Sequence, residues 1–246
     1  MLQQTWYTLG RAAIGAYAQI MLDVDISRRA PLPKGAKIIA ANHPTTTDPI
    51  LIELLTLEPM HILITEMCFA LPLIGKSLRL AGHIPVVTGN GRAAFDEAVR
   101  LLQAGQTVGI FPEGALSPLD GGLEKPHTGV ARLALISGAP VIPVGIHLQR
   151  EHIRFVKTTV DDMTETARWY LHGPYAMTAG EPMHFEGSVE DRQCVRSVSE
   201  HIMQRIARLS RESAQRICER YPLRVPSGQT SRRGNRLPEH PLGVTR

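Results

Sequence analysis

From residue 37 to residue 146, short runs rich in Ile and Val alternate with longer segments of helical spacing, and this alternation restricts the fold more than any other feature of the chain. The strand-like runs are 37–41, 61–65, 84–87, 107–111 and 141–146, and the helical segments are 49–57, 71–80, 92–104 and 129–137. Gly105 and Gly138 stand just past two of these helices, where a left-handed residue closes the last turn. Strands joined through helices come to lie side by side in parallel. The pattern predicts an α/β fold: a single domain with a mixed, mostly parallel central sheet flanked by helices.

The ends of the chain read differently. Residues 2–22 carry Leu2, Trp6, Leu9, Ala13, Ala16 or Tyr17, and Ile20 at steps of three and four, the mark of an amphipathic helix. That stripe either packs on the domain or lies in a membrane surface with Trp6 and Tyr7 at the interface. Beyond residue 149, runs 168–172 and 175–178 around Gly173-Pro174 suggest two more strands. A long helix is expected from Ser188 to about Tyr221, with Val195, Val198, Ile202, Ile206, Leu209 and Ile217 on one face. From Pro222 onward periodicity stops and Pro, Gly, Ser and Arg dominate, so a disordered tail is expected. The division is an N-terminal helix and linker over 1–35, the main domain over 36–221 and an Arg-rich tail over 222–246.

Composition narrows the function classes. The formal charge of +4 is carried by Arg224, Arg232, Arg233, Arg236 and Arg246 in the tail, opposed there only by Glu239. The folded part is therefore close to neutral, which gives a nucleic-acid-binding surface no support. The three cysteines lie far apart with no metal-ligand spacing, and no metal site is expected. No run of eighteen apolar residues marks a membrane span and no signal peptide is visible, so the expected location is cytoplasmic. Nothing in the sequence specifies an oligomeric state.

Two loops carry candidate chemistry, each directly after a strand, where α/β sheets build their sites. The first is Asn42-His43-Pro44-Thr45-Thr46-Thr47-Asp48-Pro49. His43 is suited to take a proton near neutral pH, and Asp48 to fix its tautomer. The same residues also read as a helix cap, Asp48 followed by Pro at the first helical position. The second is Phe111-Pro112-Glu113-Gly114-Ala115-Leu116-Ser117-Pro118, in which Pro112 and Gly114 hold the Glu113 carboxylate at a fixed angle. A third segment, Gly89-Asn90-Gly91-Arg92-Ala93-Ala94, reads G-x-G-x-x-A between a strand and a helix, with Glu113 following 24 residues after Gly89. That leaves a Rossmann-type oxidoreductase as a competing reading, beside a simple loop whose Arg92 binds a phosphate. No nucleophile elbow, P-loop or zinc motif is present.

Taken in order, these blocks resemble the glycerolipid acyltransferase family that includes the 1-acylglycerol-3-phosphate O-acyltransferases. Asn42-His43 with Asp48 resembles its N-H-x4-D motif and Phe111-Pro112-Glu113-Gly114 its F-P-E-G motif. Gly82-His83-Ile84-Pro85-Val86 and Val141-Ile142-Pro143-Val144 are similar to two further blocks, and Thr128-Gly129 to a Thr-Gly pair that follows F-P-E-G. The resemblance implies that His43 is the general base on an acceptor hydroxyl, oriented by Asp48. The donor would be acyl-CoA or acyl-carrier protein, the acceptor a lysolipid in the membrane, with no metal or other cofactor. Asn42, Glu113, Gly114 and Arg92 are the candidate substrate-binding residues, and the protein is expected to be held peripherally at the inner face of the membrane. An inactive binding protein of the same fold is the non-enzymatic alternative.

The chain also departs from the family pattern. Thr88 and Leu116 stand where members acting on glycerol phosphates commonly carry Arg, and Thr65-Glu66 where a Lys is found. Those side chains are associated with phosphate binding, so an acceptor with a neutral head is expected unless Arg92, Lys125, His127 or Arg132 takes over.

Overall fold

The computed structural model describes residues 2–160 and 163–222. A seven-stranded sheet runs in the order β1-β9-β6-β2-β5-β3-β4. Its strands are β1 (Leu22–Arg28), β2 (Lys37–Ala41), β3 (Met60–Thr65), β4 (Ile84–Val86), β5 (Thr107–Ile110), β6 (Val141–Leu148) and β9 (Gly173–Ala179). β2 lies between β5 and β6 and runs parallel to both, with Ile38 opposite Val108 on one side and Val141 on the other. β3 and β4 continue the parallel set. β9 turns antiparallel to β6, and β1 pairs parallel with β9. The mostly parallel sheet predicted from the alternation is the one observed.

Helices cover both faces, as a parallel sheet requires. Ile38 and Ala40 of β2 point into a core shared with α5 (Arg92–Gln103), α6 (Gly129–Ser137) and α7 (Arg192–Arg220). Ile39 and Ala41 point the other way, toward α1 (Leu2–Met21) and α2 (Asp48–Ile52). All four β2 residues are fully buried, which explains why that strand reads as an unbroken apolar run rather than an alternating one.

Several boundaries differ from the sequence expectation for local reasons. The helical stretch expected over 71–80 begins only at α4 (Ile74–Ala81) and is preceded by an extra short helix, α3 (Glu66–Ala70), because Pro72 disfavours helical geometry at Leu71, which is extended. α2 is short and runs into a 3-10 turn, Glu53–Leu55. The long helix starts at Arg192 instead of Ser188, since the Asp191 carboxylate caps it through the N–H groups of Gln193 and Cys194. Residues 22–28, expected in a linker, form edge strand β1, whose Asp23 and Asp25 pair with Arg220 and Arg216 of α7. Run 168–172 belongs to a longer hairpin, β7 (Ile153–Val160) with β8 (Met163–Tyr170). Residues 223–246 of the expected tail lie outside the described residues.

The N-terminal helix turns its apolar stripe outward. Tyr7 and Ala18 are buried, and Tyr7, Arg11 and Tyr17 hydrogen-bond to backbone carbonyls of the domain. Trp6, Leu9 and Ile20 are 41%, 62% and 79% exposed. The helix does pack on its own domain, but through Tyr7, Arg11, Tyr17 and Ala18; among the described side chains of the expected stripe only Tyr17 turns inward.

Candidate active site

The two loops singled out in the sequence leave the C-terminal ends of neighbouring strands β2 and β5 and meet. The backbone N–H of His43 donates to Glu113 Oε1 at 3.0 Å, and the N–H of Ser117 donates to the His43 carbonyl at 2.8 Å. Ser117 Oγ adds a bond to the same Glu113 oxygen at 2.6 Å, while Glu113 Oε2 accepts from the N–H of Glu124 at 2.7 Å. Glu113, expected as a substrate contact, is buried with both oxygens engaged by protein donors. Its carboxylate ties the His43 loop to the loop that follows β5.

His43 itself is fixed on two sides. Its ring stacks on Phe111 at 4.1 Å, and Nδ1 lies 3.1 Å from Asp48 Oδ2. Asp48 is fully buried, whereas the His43 side chain keeps 18% of its surface open. The carboxylate also accepts from the Thr45 N–H (2.7 Å), Thr45 Oγ1 (2.7 Å) and the Tyr175 hydroxyl (2.8 Å). An ionised carboxylate can only accept, so the neutral imidazole carries its proton on Nδ1 and presents a free lone pair at Nε2. The Tyr175 phenol is pushed well above its ordinary range, by burial first and the Asp48 charge second, so it stays a donor.

The helix-cap reading of Asp48 is not observed. Thr47 occupies the cap position without a side-chain bond to the helix N–H groups, and Asp48, the first residue of α2, turns its carboxylate back onto the loop. Hairpin strand β8 holds the loop from the far side: Thr46 N–H donates to the Arg168 carbonyl, and the N–H groups of Arg168 and Tyr170 donate to Thr46 Oγ1 and Thr47 Oγ1. Run 42–48 gives little warning of this clamp, because its partners lie some 120 residues away.

The sequence model of the acyltransferase family matches residues 23–147. The chain belongs to the acyltransferase family. The chain is 30% identical over 139 residues to an uncharacterized protein of Mycobacterium tuberculosis (strain H37Rv), covering 50% of this chain and 37% of that protein. An uncharacterized protein of Mycobacterium leprae is 31% identical over 100 residues, covering 37% of this chain and 25% of that protein. The matched stretches thus span well under half the length of those relatives. The crystal structure of the 1-acyl-sn-glycerophosphate acyltransferase PlsC from Thermotoga maritima shares the fold, with a TM-score of 0.58 at 21% identity over 85% of this chain and 78% of that one.

Of the remaining candidate residues in this member of the family, Asn42 and Gly114 lie in the two site loops and Arg92 does not. Asn42 is buried and uses its side-chain amide to pair with both backbone groups of Ile146, extending the β2–β6 ladder by one residue toward the site. Gly114 has φ +66, and a Cβ there would come within 2.6 Å of the His127 ring, so glycine is required twice over. Its N–H closes a turn onto the Phe111 carbonyl. Arg92 opens α5 beyond the edge strand β4, three strands along from β2, and pairs with Asp96 at 2.9 Å. By ladder spacing that is about 14 Å from the His43 strand. The glycine loop before Arg92 follows an edge strand and Glu113 is engaged elsewhere, so the dinucleotide-binding reading finds no support. Among the described residues, no group of three or more His, Cys, Asp or Glu side chains is arranged to hold a metal ion.

Proposed function

We propose that this protein transfers a fatty acyl group from a thioester donor to a hydroxyl of a lysophosphatidate-type or related lysolipid, with His43 as general base. The observation that carries the reading is the buried Asp48 carboxylate on His43 Nδ1, which leaves Nε2 as the acceptor of a ring that keeps 18% of its surface open. Nε2 removes the proton as the acceptor oxygen attacks the thioester carbonyl carbon. The tetrahedral intermediate then expels the sulfur, and the imidazolium returns its proton to the departing thiolate, giving an ester and a free thiol. Asp48 stabilises the imidazolium between the two proton transfers. No covalent enzyme intermediate is required, and Glu113 serves by holding the two loops at one spacing.

A lipid acceptor also calls for contact with a bilayer. The outward stripe of α1 supplies an apolar face whose only ionisable neighbour on the helix, Arg11, is turned inward. Among the described residues no helix is long and apolar enough to cross a membrane. We read α1 as lying in the surface of the cytoplasmic leaflet, with the acyl donor, CoA-linked or carrier-protein-linked, arriving from the aqueous side.

The test is a thiol-release assay with acyl-CoA and a lysolipid, with the acylated product followed by mass spectrometry. His43→Ala is expected to lower kcat by about 10²–10⁴-fold, the usual contribution of a general base. It should also cost some stability because it removes a donor from the buried Asp48 and the stack on Phe111, so rates are compared well below the variant's Tm. A variant that keeps more than about a tenth of the wild-type rate removes His43 from that role.

A further inference from the structure

Beside the His43 loop, a cavity of about 260 Å³ opens between the two site loops, the end of β6, the hairpin and α7. Its walls include Asn42 and Pro44, the neighbours of His43 on either side, together with Ser117. Three arginines converge on it from three different elements: Arg150 after β6, Arg168 on β8 and Arg211 on α7. No acidic residue lines the cavity. Elsewhere Arg29, Arg92, Arg100, Arg208, Arg216 and Arg220 each meet a carboxylate, but Arg150, Arg168 and Arg211 meet none among the described residues.

The arginines are placed by the protein. Arg168 donates through Nη1 to the Ser117 carbonyl at 2.5 Å, which directs its guanidinium toward the loop after β5. Arg150 lies over the Gly121 turn, its Nη2 3.5 Å from where a side chain there would begin. Ser210, next to Arg211, anchors that turn of α7 to the Ile146 carbonyl at 2.9 Å. Three guanidinium groups in one concave site whose lining holds no acidic residue, with Glu151 the nearest counter-charge beside Arg150, give a net positive site and offer forked donors that match phosphate oxygens. The cavity is smaller than the roughly 300–1,000 Å³ of sites that enclose a drug-sized ligand, so it fits a headgroup and not a whole lipid or coenzyme.

We infer that this arginine-lined cavity binds a phosphate group of one of the two substrates while the reacting atoms lie at His43. The identity of the ligand rests on the acyltransferase reading. Coenzyme A and the carrier-protein prosthetic group both carry phosphates, and so does a lysophosphatidate acceptor. The chemistry is shared and the source is decided by experiment. The inference also bears on the neutral-headed acceptor expected from Thr88 and Leu116: this chain has cations for a phosphate, held on the opposite side of the His43 loop from Arg92.

The test uses the full chain and the double variant Arg150→Gln/Arg211→Gln, with unchanged Tm checked first because both side chains are exposed. Titration calorimetry is run with coenzyme A and, separately, with a water-soluble short-chain lysophosphatidate. For the phosphate-bearing partner, affinity should fall about tenfold or more per arginine, the loss expected for a hydrogen bond to a charged group. A loss confined to coenzyme A assigns the cavity to the donor, and a loss confined to lysophosphatidate assigns it to the acceptor. Equal affinities of wild type and variant for both ligands, or no binding of either by wild type, overturn the inference. Because binding is read without turnover, the two failures separate: active enzyme with unaltered binding sinks the cavity alone, and altered binding without acyl transfer sinks the reaction alone.

Discussion

Four donors surround the Asp48 carboxylate, and one of them, the buried Tyr175 hydroxyl, comes from 127 residues further along the chain. Its loss leaves a fully buried anion short of one partner, which for a hydrogen bond to a charged group costs about 1.5–3 kcal/mol. Tyr175→Phe is therefore expected to lower stability by that order in denaturant unfolding. It should also reduce kcat by roughly tenfold with KM nearly unchanged, since the group it loosens acts on His43 and touches no substrate. A rise in KM at constant kcat would place Tyr175 against the substrate instead. At this scale the sequence was readable only where chemistry is local. His43 and Asp48 share a short loop and Glu113 follows a strand with Pro and Gly around it, so residue types and spacing name them. Tyr175 lies in an ordinary apolar run, and nothing in that run announces that its hydroxyl reaches a carboxylate on α2.

Among the elements, the contact that sets the floor of the site is α7 against β6. At Gly145 a Cβ would lie 2.0 Å from the Ser210 nitrogen and 2.1 Å from the Leu209 carbonyl carbon, so the helix backbone rests directly on the strand. Ser213 and Ser210 complete the contact by donating to the carbonyls of Gly145 and Ile146. Since the obstruction is backbone, it cannot yield by a rotamer change, and Gly145→Ala should cost about 3 kcal/mol or more. Gly15→Ala on α1 is the control: nothing lies within 4 Å of that position, and the change should be neutral or stabilise by up to about 1 kcal/mol. Comparable unfolding midpoints for the two variants would refute the close-contact account. The long helix itself was legible from the 3.6-residue spacing of Val195, Val198, Ile202, Ile206 and Leu209, all buried. β1 and β7 were not. In β1 three apolar residues continue without a break from a helix, and β7 exposes Phe155 and Val156 on a hairpin outside the main core. Neither carries the buried apolar run by which the central strands are found.

On the scale of the molecule, the C-terminal end of α1 reaches the rim that carries the His43 and Glu113 loops, while its N-terminal half lies against residues 56–58 at the other end of the sheet. β1 and β9 run against β6, so Leu22, where α1 ends, pairs with Gly173 at the end of the sheet where β6 finishes at Leu148. The stripe Trp6, Leu9, Ala13, Ala16 and Ile20 faces away from the domain, while Tyr7, Arg11 and Ala18 hold the opposite face against it. α1 also packs on α4, at whose start Leu73 and Ile74 are exposed, Leu73 with φ +65, a conformation that costs a bulky residue energy. On the proposed reaction with a lipid acceptor, this apolar face acts as a bilayer contact if burying Leu9 and Ile20 in the interface contributes free energy. Full burial of each such side chain is worth about 1.5–3 kcal/mol, and partial insertion of the pair should still supply a tenfold to hundredfold change in partitioning. Leu9→Gln/Ile20→Gln should therefore leave the unfolding midpoint within about 0.5 kcal/mol of wild type, as expected of exposed positions. The same variant should sediment with anionic vesicles about ten- to a hundredfold more weakly, and should lose acyl transfer to bilayer-embedded lysolipid more than to a detergent-dispersed one. Vesicle binding that survives both substitutions would mean that the protein reaches the membrane through another surface.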